Sequence, residues 1–402
     1  MLEKIKKQFW MIDALLKTDF TTKKQLVTNF LTAKKKYIPK EKRDANIDSL
    51  LKCALCPNMC RFDCPVSMAE KSESSSPAGK MKIAYFLETG KIQPSESAID
   101  LMYKDVNCDA CKQWCPFGFS IGELLIGVRN DLVRKGLAPE RLVKFKEKLE
   151  GNHTIYEGGI KSLGLDKNKK SKVLYIAGCT TLNGRKEVAD STITILERAG
   201  VDYTTLSEEW CCGAPLYVLG FRDSFQKFVN HNLNAIKETE CETIIFSCPE
   251  CLYTFKELYP QSRLKVEMQH TSQFFLKLIE EGKLGPMELD EEYVFHDPCV
   301  LSRKLDIAEE PREVLKNISK LKLKETYFNK KDTKCCGSGG MLGVTDQKLS
   351  SEIAKNRVLE LKEYSNSIVS ACPACEKAFK EADDKIKVLD ISEVILKGIK
   401  NA

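Results

Sequence analysis

No stretch of the chain approaches the roughly 18–20 consecutive apolar residues of a membrane-spanning helix, so any membrane attachment is expected to come through a partner subunit. The opening residues, MLEKIKKQFWMIDALLKTDF, mix charge with apolar side chains at helical spacing. They lack the uninterrupted apolar core of a signal peptide, which makes a cytoplasmic location the expectation. No Gly-x-Gly-x-x-Gly follows a strand-like run, so a flavin would need another chain. The formal charge of +6 is mild for 402 residues, the lysines are spread along the whole length, and no nucleic-acid recognition motif accompanies them. That reads as a solvated surface, with no nucleic acid among the expected partners. With 43% hydrophobic and 30% charged residues, the chain suffices for two or three domains and a substantial core.

What the chain has in excess is cysteine, eighteen in all. A short secreted protein with this count would be read as disulfide-bonded. In a long chain without a signal, expected to stay reduced, metal ligation is the better reading. Two stretches, EEWCCGAPL at 208–216 and DTKCCGSGGML at 332–342, set two cysteines side by side before a glycine. Neighbouring Cα atoms lie about 3.8 Å apart across a trans peptide, whereas a relaxed disulfide wants roughly 4.4–6.8 Å. The pairs are therefore not disulfides, but both thiols of a pair can bond something held between them.

Seventeen of the eighteen cysteines form three groups. The first joins Cys53, Cys56, Cys60 and Cys64 in CALCPNMCRFDCPV to Cys108, Cys111 and Cys115 in CDACKQWCPFG. The second is Cys179, Cys211, Cys212, Cys248 and Cys251; the third is Cys299, Cys335, Cys336, Cys372 and Cys375. Cys241 stands outside and reads as a buried small residue. The second and third groups are an internal repeat: 35 residues separate Cys212 from Cys248 and again Cys336 from Cys372, and ETIIFSCPECLYTFKEL matches NSIVSACPACEKAFKEA. KVLYIAGC, EEYVFHDPC, ETIIFSC and NSIVSAC read as strands ending at a cysteine, and RKEVADSTITILERAG and REVLKNISKL read as helices. This alternation predicts a small α/β unit with a mostly parallel sheet, whose ligands gather at the carboxyl ends of the strands. Gly213 and Gly337, able to take φ > 0, and the GSGG at 337–340 would let backbone approach a cofactor there.

Zinc and iron–sulfur clusters both fit a set of thiolates. A structural zinc takes four ligands; each repeat offers five cysteines, and a fifth could be spare. Two strings each closed by Cys-Pro are similar to the two-cluster ferredoxin arrangement, in which the last cysteine of one string ligates the other cluster. By that crossing Cys53, Cys56, Cys60 and Cys115 would hold one cluster, and Cys64, Cys108 and Cys111 another. The first-cysteine position of the second string is Asp105, so its fourth ligand is either Asp105 or solvent, and the cluster is expected as a labile 4Fe-4S or a 3Fe-4S form. The alternative is that Asp105 is an unrelated surface carboxylate. The 43 residues between the strings contain helix-like SPAGKMKIAYFLETG and SESAIDLMYKD with serine caps, predicting a helical ferredoxin. The expected organisation is an N-terminal helical segment (1–50), an α-helical ferredoxin domain (51–130), a Lys-rich linker (131–170), and two α/β cysteine-rich repeats (171–285 and 286–402).

The spacing Cys-x31-Cys-Cys-Gly-x34-Cys-x2-Cys, followed by Cys-x35-Cys-Cys-Gly-x34-Cys-x2-Cys, closely resembles the tandem cysteine-rich (CCG) domain of heterodisulfide reductases. That family includes the iron–sulfur subunits of glycolate, lactate and anaerobic glycerol-3-phosphate dehydrogenases. The ferredoxin fused ahead of it looks like the fused catalytic subunit of the membrane-linked methanogen enzyme. The resemblance implies a non-cubane 4Fe-4S cluster on each five-cysteine set, with adjacent thiolates on different irons of one extended cluster. Two functions follow from it. In one, the chain receives electrons from a redox partner, a b-type cytochrome membrane subunit, and reduces a small disulfide between the paired clusters, with Cys212 and Cys336 in the catalytic sets. His296 in HDPC would be near enough to give a proton, or would be a structural histidine fixing the loop. In the other, the chain is an electron-transfer subunit for a flavoprotein dehydrogenase. A zinc-bearing assembly scaffold is the third reading.

Overall fold

The computed structural model describes residues 16–37, 43–161, 163 and 170–401, and the chain divides into two units, Met1–Pro139 and Glu140–Ala402. Most of the helical expectation for the opening residues lies outside the described part. Among the described residues no helix is long and apolar enough to cross a membrane.

The described part of the first unit is helical: Phe20–Tyr37, Ile47–Ala54, Pro65–Glu70, Pro77–Glu88, Glu96–Tyr103, Ala110–Gln113 and Ile121–Arg134. Ser76 and Ser95 cap the two helices between the cysteine strings, each accepting from a backbone N–H of the first turn, as the sequence predicts. Helix Pro77–Glu88 packs against both Ile47–Ala54 and Ile121–Arg134. Leu50, Met81, Ala84, Leu125 and Val128 are fully buried.

The second unit holds two four-stranded sheets. The first comprises β1 (Val173–Ile176), β2 (Tyr203–Thr205), β3 (Thr243–Phe246) and β4 (Glu267–His270), in the order β2-β1-β3-β4. The second comprises β5 (Glu292–His296), β6 (Lys322–Lys324), β7 (Ser367–Ser370) and β8 (Lys387–Asp390), in the order β6-β5-β7-β8. All six pairings are parallel. Parallel strands are covered on both faces, and VLYI, TIIF and YVF are accordingly unbroken apolar runs. Each of their fully buried large side chains contributes roughly 1.5–3 kcal/mol. The edge strand β6 reads Lys-Leu-Lys with both lysines exposed, which blocks pairing with another chain. The fold class is α/β behind an α-helical unit, as expected.

The stretch 131–170 is not the simple linker its lysines suggest. Residues 131–134 finish helix Ile121–Arg134, and Glu140–Asn152 is itself a helix in the second unit. Leu142 and Leu149, seven residues apart, bury one face of it, while Glu140–Lys144 and Lys146–Glu150 pair along its exposed side. The helix expected over 312–321 is shorter, Glu310–Lys316, and β6 begins at Lys322.

Candidate metal centres

Two cavities of the first unit are lined by its seven cysteines, and Cys111 lines both. Cys53, Cys56, Cys60, Cys111 and Cys115 border the first; Cys64, Cys108, Cys111 and Asp105 border the second. Electrostatics couples these thiols within and between the two groups: after burial, Cys64 raises Cys60 most, ahead of Cys115 and Cys56. Burial pushes the Cys53 thiol up, and Cys60, Cys115 and Cys56 add to it. Burial likewise pushes Cys111 up, reinforced by Asp105, Cys108 and Cys64. Cys60 is raised to about 12 and Cys64 to about 11, again chiefly by burial. Packed thiols of this kind are inert unless a metal cation binds the sulfur and displaces its proton to solvent. The donor sets suit iron–sulfur clusters: all-thiolate in one cavity, three thiolates and a carboxylate in the other.

Asp105 lines the second cavity, so it is not an unrelated surface group. Its Oδ2 lies 2.5 Å from Lys80 Nζ and its Oδ1 accepts from Asn107 N at 2.8 Å. Although burial alone would raise it, the Lys80 ammonium holds the carboxyl below its ordinary value. Lys80 carried no signal in the sequence.

In the second unit every cysteine set is assembled at the carboxyl ends of strands. Cys179 follows β1 by three residues and Cys299 follows β5 by three; Cys248 and Cys372 follow β3 and β7 by two. Because β2 and β3 lie on opposite sides of β1, and β6 and β7 on opposite sides of β5, these ends flank the point where strand order reverses, the place where open parallel sheets bind ligands. The Cys-Cys-Gly loops arrive from beyond β2 and β6. Gly213 has φ 82° and Gly337 has φ 84°, the left-handed turn expected of them.

The first set is a chain of contacts. Cys179 Sγ lies 3.9 Å from Cys211 Sγ. Cys212 is hydrogen-bonded by Cys211 and Cys251, which hold its thiolate well below the ordinary value. Cys251 in turn meets Cys212 and Cys248, contacts that raise it. The second set repeats the pattern: Cys335 and then Cys375 stabilise the Cys336 thiolate, and Cys375 also meets Cys372. Cys299 is buried at the place equivalent to Cys179. Cys212 and Cys336 are thus the central acceptors of their sets, and none of the cysteines is in a disulfide.

His296 is fully buried, and its ligand atom lies within 4.8 Å of those of Cys336 and Cys375. Burial depresses the imidazole, and its Nδ1 accepts from Arg357 Nε at 3.4 Å, which leaves the proton of the neutral ring on Nε2. The first repeat has Ile176 at the matching position and places a different group nearby. Glu209, fully buried, accepts from Ala177 N at 3.1 Å and Gly178 N at 2.5 Å; burial raises its carboxyl to about 7. Glu209 was not singled out in the sequence, where it is one of two adjacent glutamates. Tyr259 was missed as well: its hydroxyl donates to Cys212 O at 2.9 Å and accepts from Asn232 Nδ2, which also donates to Cys211 O at 3.1 Å.

The two sets adjoin. Helix Cys179–Gly184 of the first repeat packs against Pro373–Ala382, which carries Cys375, and segment Val300–Lys304 after Cys299 packs against Pro249–Tyr253, which carries Cys251. The helices following the two Cys-Cys-Gly loops also meet, Ala214–Val218 against Gly339–Met341. Arg185 crosses from the first repeat to bond Glu376 at 3.0 Å and Glu393 at 2.5 Å in the second.

Comparison with known proteins agrees with this geometry. The cysteine-rich domain (CCG) family matches twice, at residues 173–256 and 293–380. Over 382 residues the chain is 28% identical to a component of the dihydromethanophenazine:CoB–CoM heterodisulfide reductase of Methanosarcina acetivorans, covering 87% of this chain and 92% of that one. It is 27% identical over 381 residues to EtfAB:quinone oxidoreductase of Syntrophomonas wolfei, covering 83% of this chain and 52% of that longer relative. A crystal structure of a hypothetical protein from Helicobacter pylori shares the fold, with a TM-score of 0.56 at 12% identity, over 99% of this chain and 76% of that one.

Proposed function

We propose that this chain, an iron–sulfur oxidoreductase subunit with two copies of the cysteine-rich CCG domain, reduces a low-molecular-weight disulfide where its two five-cysteine sets meet. The observation that carries the reading is the completeness and contact of those sets: each first-cysteine segment packs on the other repeat's Cys-Pro-x-Cys helix. A chain built only to relay electrons has no need of two complete, adjoining sets.

Cys179, Cys211, Cys212, Cys248 and Cys251 would hold one non-cubane 4Fe-4S cluster, and Cys299, Cys335, Cys336, Cys372 and Cys375 the other. Cys53, Cys56, Cys60 and Cys115 would hold a 4Fe-4S cluster, and Cys64, Cys108 and Cys111, with Asp105 or solvent as fourth ligand, a 4Fe-4S or 3Fe-4S cluster. Gly213 and Gly337 let the loop backbone close on the first two. When bound, these groups supply one-electron transfer and iron with affinity for sulfur. The protein's part is to bring two such sites together in a buried setting and to provide protons. Cleavage of a disulfide to two thiols takes up two electrons and two protons. His296, within reach of Cys336 and Cys375, would give one of them. The electrons would come from a partner subunit, a b-type cytochrome or a flavoprotein, through which the chain would associate with a membrane.

The second reading, an electron-transfer subunit for a flavin-linked dehydrogenase, is favoured by the relative named as an EtfAB:quinone oxidoreductase. Anaerobic protein with full iron content separates the two when reduced viologen is mixed with a series of small thiol-cofactor disulfides. Disulfide-dependent oxidation of the dye is expected. Its absence across the series, with reduction of the chain by a flavoprotein instead, would leave the relay reading.

A further inference from the structure

The second ferredoxin-type site departs from its own pattern at one position, and the structure supplies that position with a partner. We propose that Lys80 clamps Asp105 off the cluster, so that Cys64, Cys108 and Cys111 hold a site with one iron that has no protein ligand. The inference rests on the reading of Asp105 as the fourth position of that site.

Lys80 is fully buried on helix Pro77–Glu88, with its ammonium 2.5 Å from Asp105 Oδ2 and 3.0 Å from Lys104 O. The helix is fixed where the ammonium needs it: Ser76 caps its start, and a side chain at Gly79 would collide with the Glu73 carbonyl. A buried ammonium without a countercharge is strongly unfavourable, so Lys80 keeps Asp105 beside it. The other carboxylate oxygen is also engaged, by Asn107 N at 2.8 Å. Arg129, also buried, adds a second positive charge in the neighbourhood and is itself tied to Met102 O at 2.8 Å. For Asp105 to ligate iron it would have to share or leave the ammonium, and a carboxylate is a hard ligand for an iron–sulfur site in any case. A water-derived oxygen or a small exogenous thiol is the ligand class that fits the open iron. On oxidation by one electron, a four-iron cluster with such an iron releases it as a ferrous ion and leaves the three-iron form.

The test is electron paramagnetic resonance with iron analysis on the anaerobically purified full chain, treated with ferricyanide as the one-electron oxidant. Wild type should show the near-isotropic three-iron signal and release iron. Asp105→Cys should abolish that signal, because a fourth thiolate closes the site. Asp105→Asn leaves the Lys80 ammonium without its countercharge and so lowers stability, but the signal per folded chain should stay at wild-type intensity, since a side chain that is not a ligand is not missed. Lys80→Met should reduce the signal by about half or more as the freed carboxylate turns to the iron, and adding Asp105→Asn to Lys80→Met should restore it. A change of signal per folded chain in Asp105→Asn alone would overturn the clamp, and this holds even if Lys80→Met does not accumulate. An unchanged signal in folded Lys80→Met would overturn it as well. A wild type without any three-iron signal would refute the open site. An unaltered signal in Asp105→Cys would instead refute the placement of Asp105 at the fourth position.

Discussion

At the scale of single residues, adjacent cysteines work because their surroundings treat the two differently. In each pair the second thiol, Cys212 or Cys336, takes hydrogen bonds from cysteines on both sides, whereas contacts with Cys179 and Cys212 raise Cys211. The backbone of the first pair is held from behind by Tyr259 and Asn232 through the carbonyls of Cys212 and Cys211. Tyr259→Phe should therefore cost about 1 kcal/mol in thermal or denaturant unfolding, and should make the iron of the first repeat easier to extract with a chelator than that of the second. Equal extraction from both repeats would show that this hydrogen bond does not position the loop. The cysteines and the two glycines were legible in the sequence because their chemistry is rare and their spacing repeats. Glu209, Tyr259 and Lys80 were not, because a glutamate, a tyrosine and a lysine acquire meaning only when burial takes away their water.

At the scale of elements, the site follows from topology. Strands β1, β3, β5 and β7 could be read from short apolar stretches leading to a cysteine; β2 and β6, at three residues each, were too short and too polar to show a pattern. Two π-helical turns, Thr254–Leu258 and Val300–Lys304, lie just past Cys251 and Cys299, and neither has a sequence signature. Such turns shift the register of a helix by one residue and commonly mark functional sites; here one of them turns Thr254 toward Cys212. The Cys-Cys-Gly loops differ in how tightly the next helix presses on them. A Cβ at Gly337 would lie 2.6 Å from the Ser350 carbonyl, a backbone atom of helix Gln347–Lys362, whereas at Gly213 it would meet the Phe225 ring at 2.8 Å. Both substitutions to alanine carry the strain of positive φ, about 1–3 kcal/mol. Gly337→Ala should lose more stability than Gly213→Ala, because a ring can turn aside and a helix backbone cannot. The reverse order in paired thermal melts would contradict this account of the loops.

At the scale of the whole molecule, the two copies of a duplicated unit pack against each other. The repeat itself was plain in the sequence, but nothing there showed which faces of the two copies meet, since that depends on Arg185, Glu376 and Glu393 from distant parts of the chain. Arg185 and Glu376 are both buried, so Arg185→Met would leave carboxylates without their cation, at a cost of about 3–5 kcal/mol. Its unfolding should begin at lower temperature, and a melt indistinguishable from wild type would mean that the pair does not hold the repeats together. The seventeen grouped cysteines also predict a brown protein with iron and acid-labile sulfide in near-equal amounts. A colourless chain with stoichiometric zinc and no sulfide would return the metal to the zinc reading.

The central claim is that the two five-cysteine sets act as a pair on a disulfide, and the most direct measurement removes one central thiolate at a time. Cys212→Ser and Cys336→Ser are compared with wild type for disulfide-dependent oxidation of reduced viologen, with the signals of the first unit's clusters recorded in the same samples. Those signals should persist in both variants, because their ligands belong to a separate unit, while each substitution alone abolishes turnover. Turnover at the wild-type rate in either variant, with that repeat's iron lost, would contradict the claim.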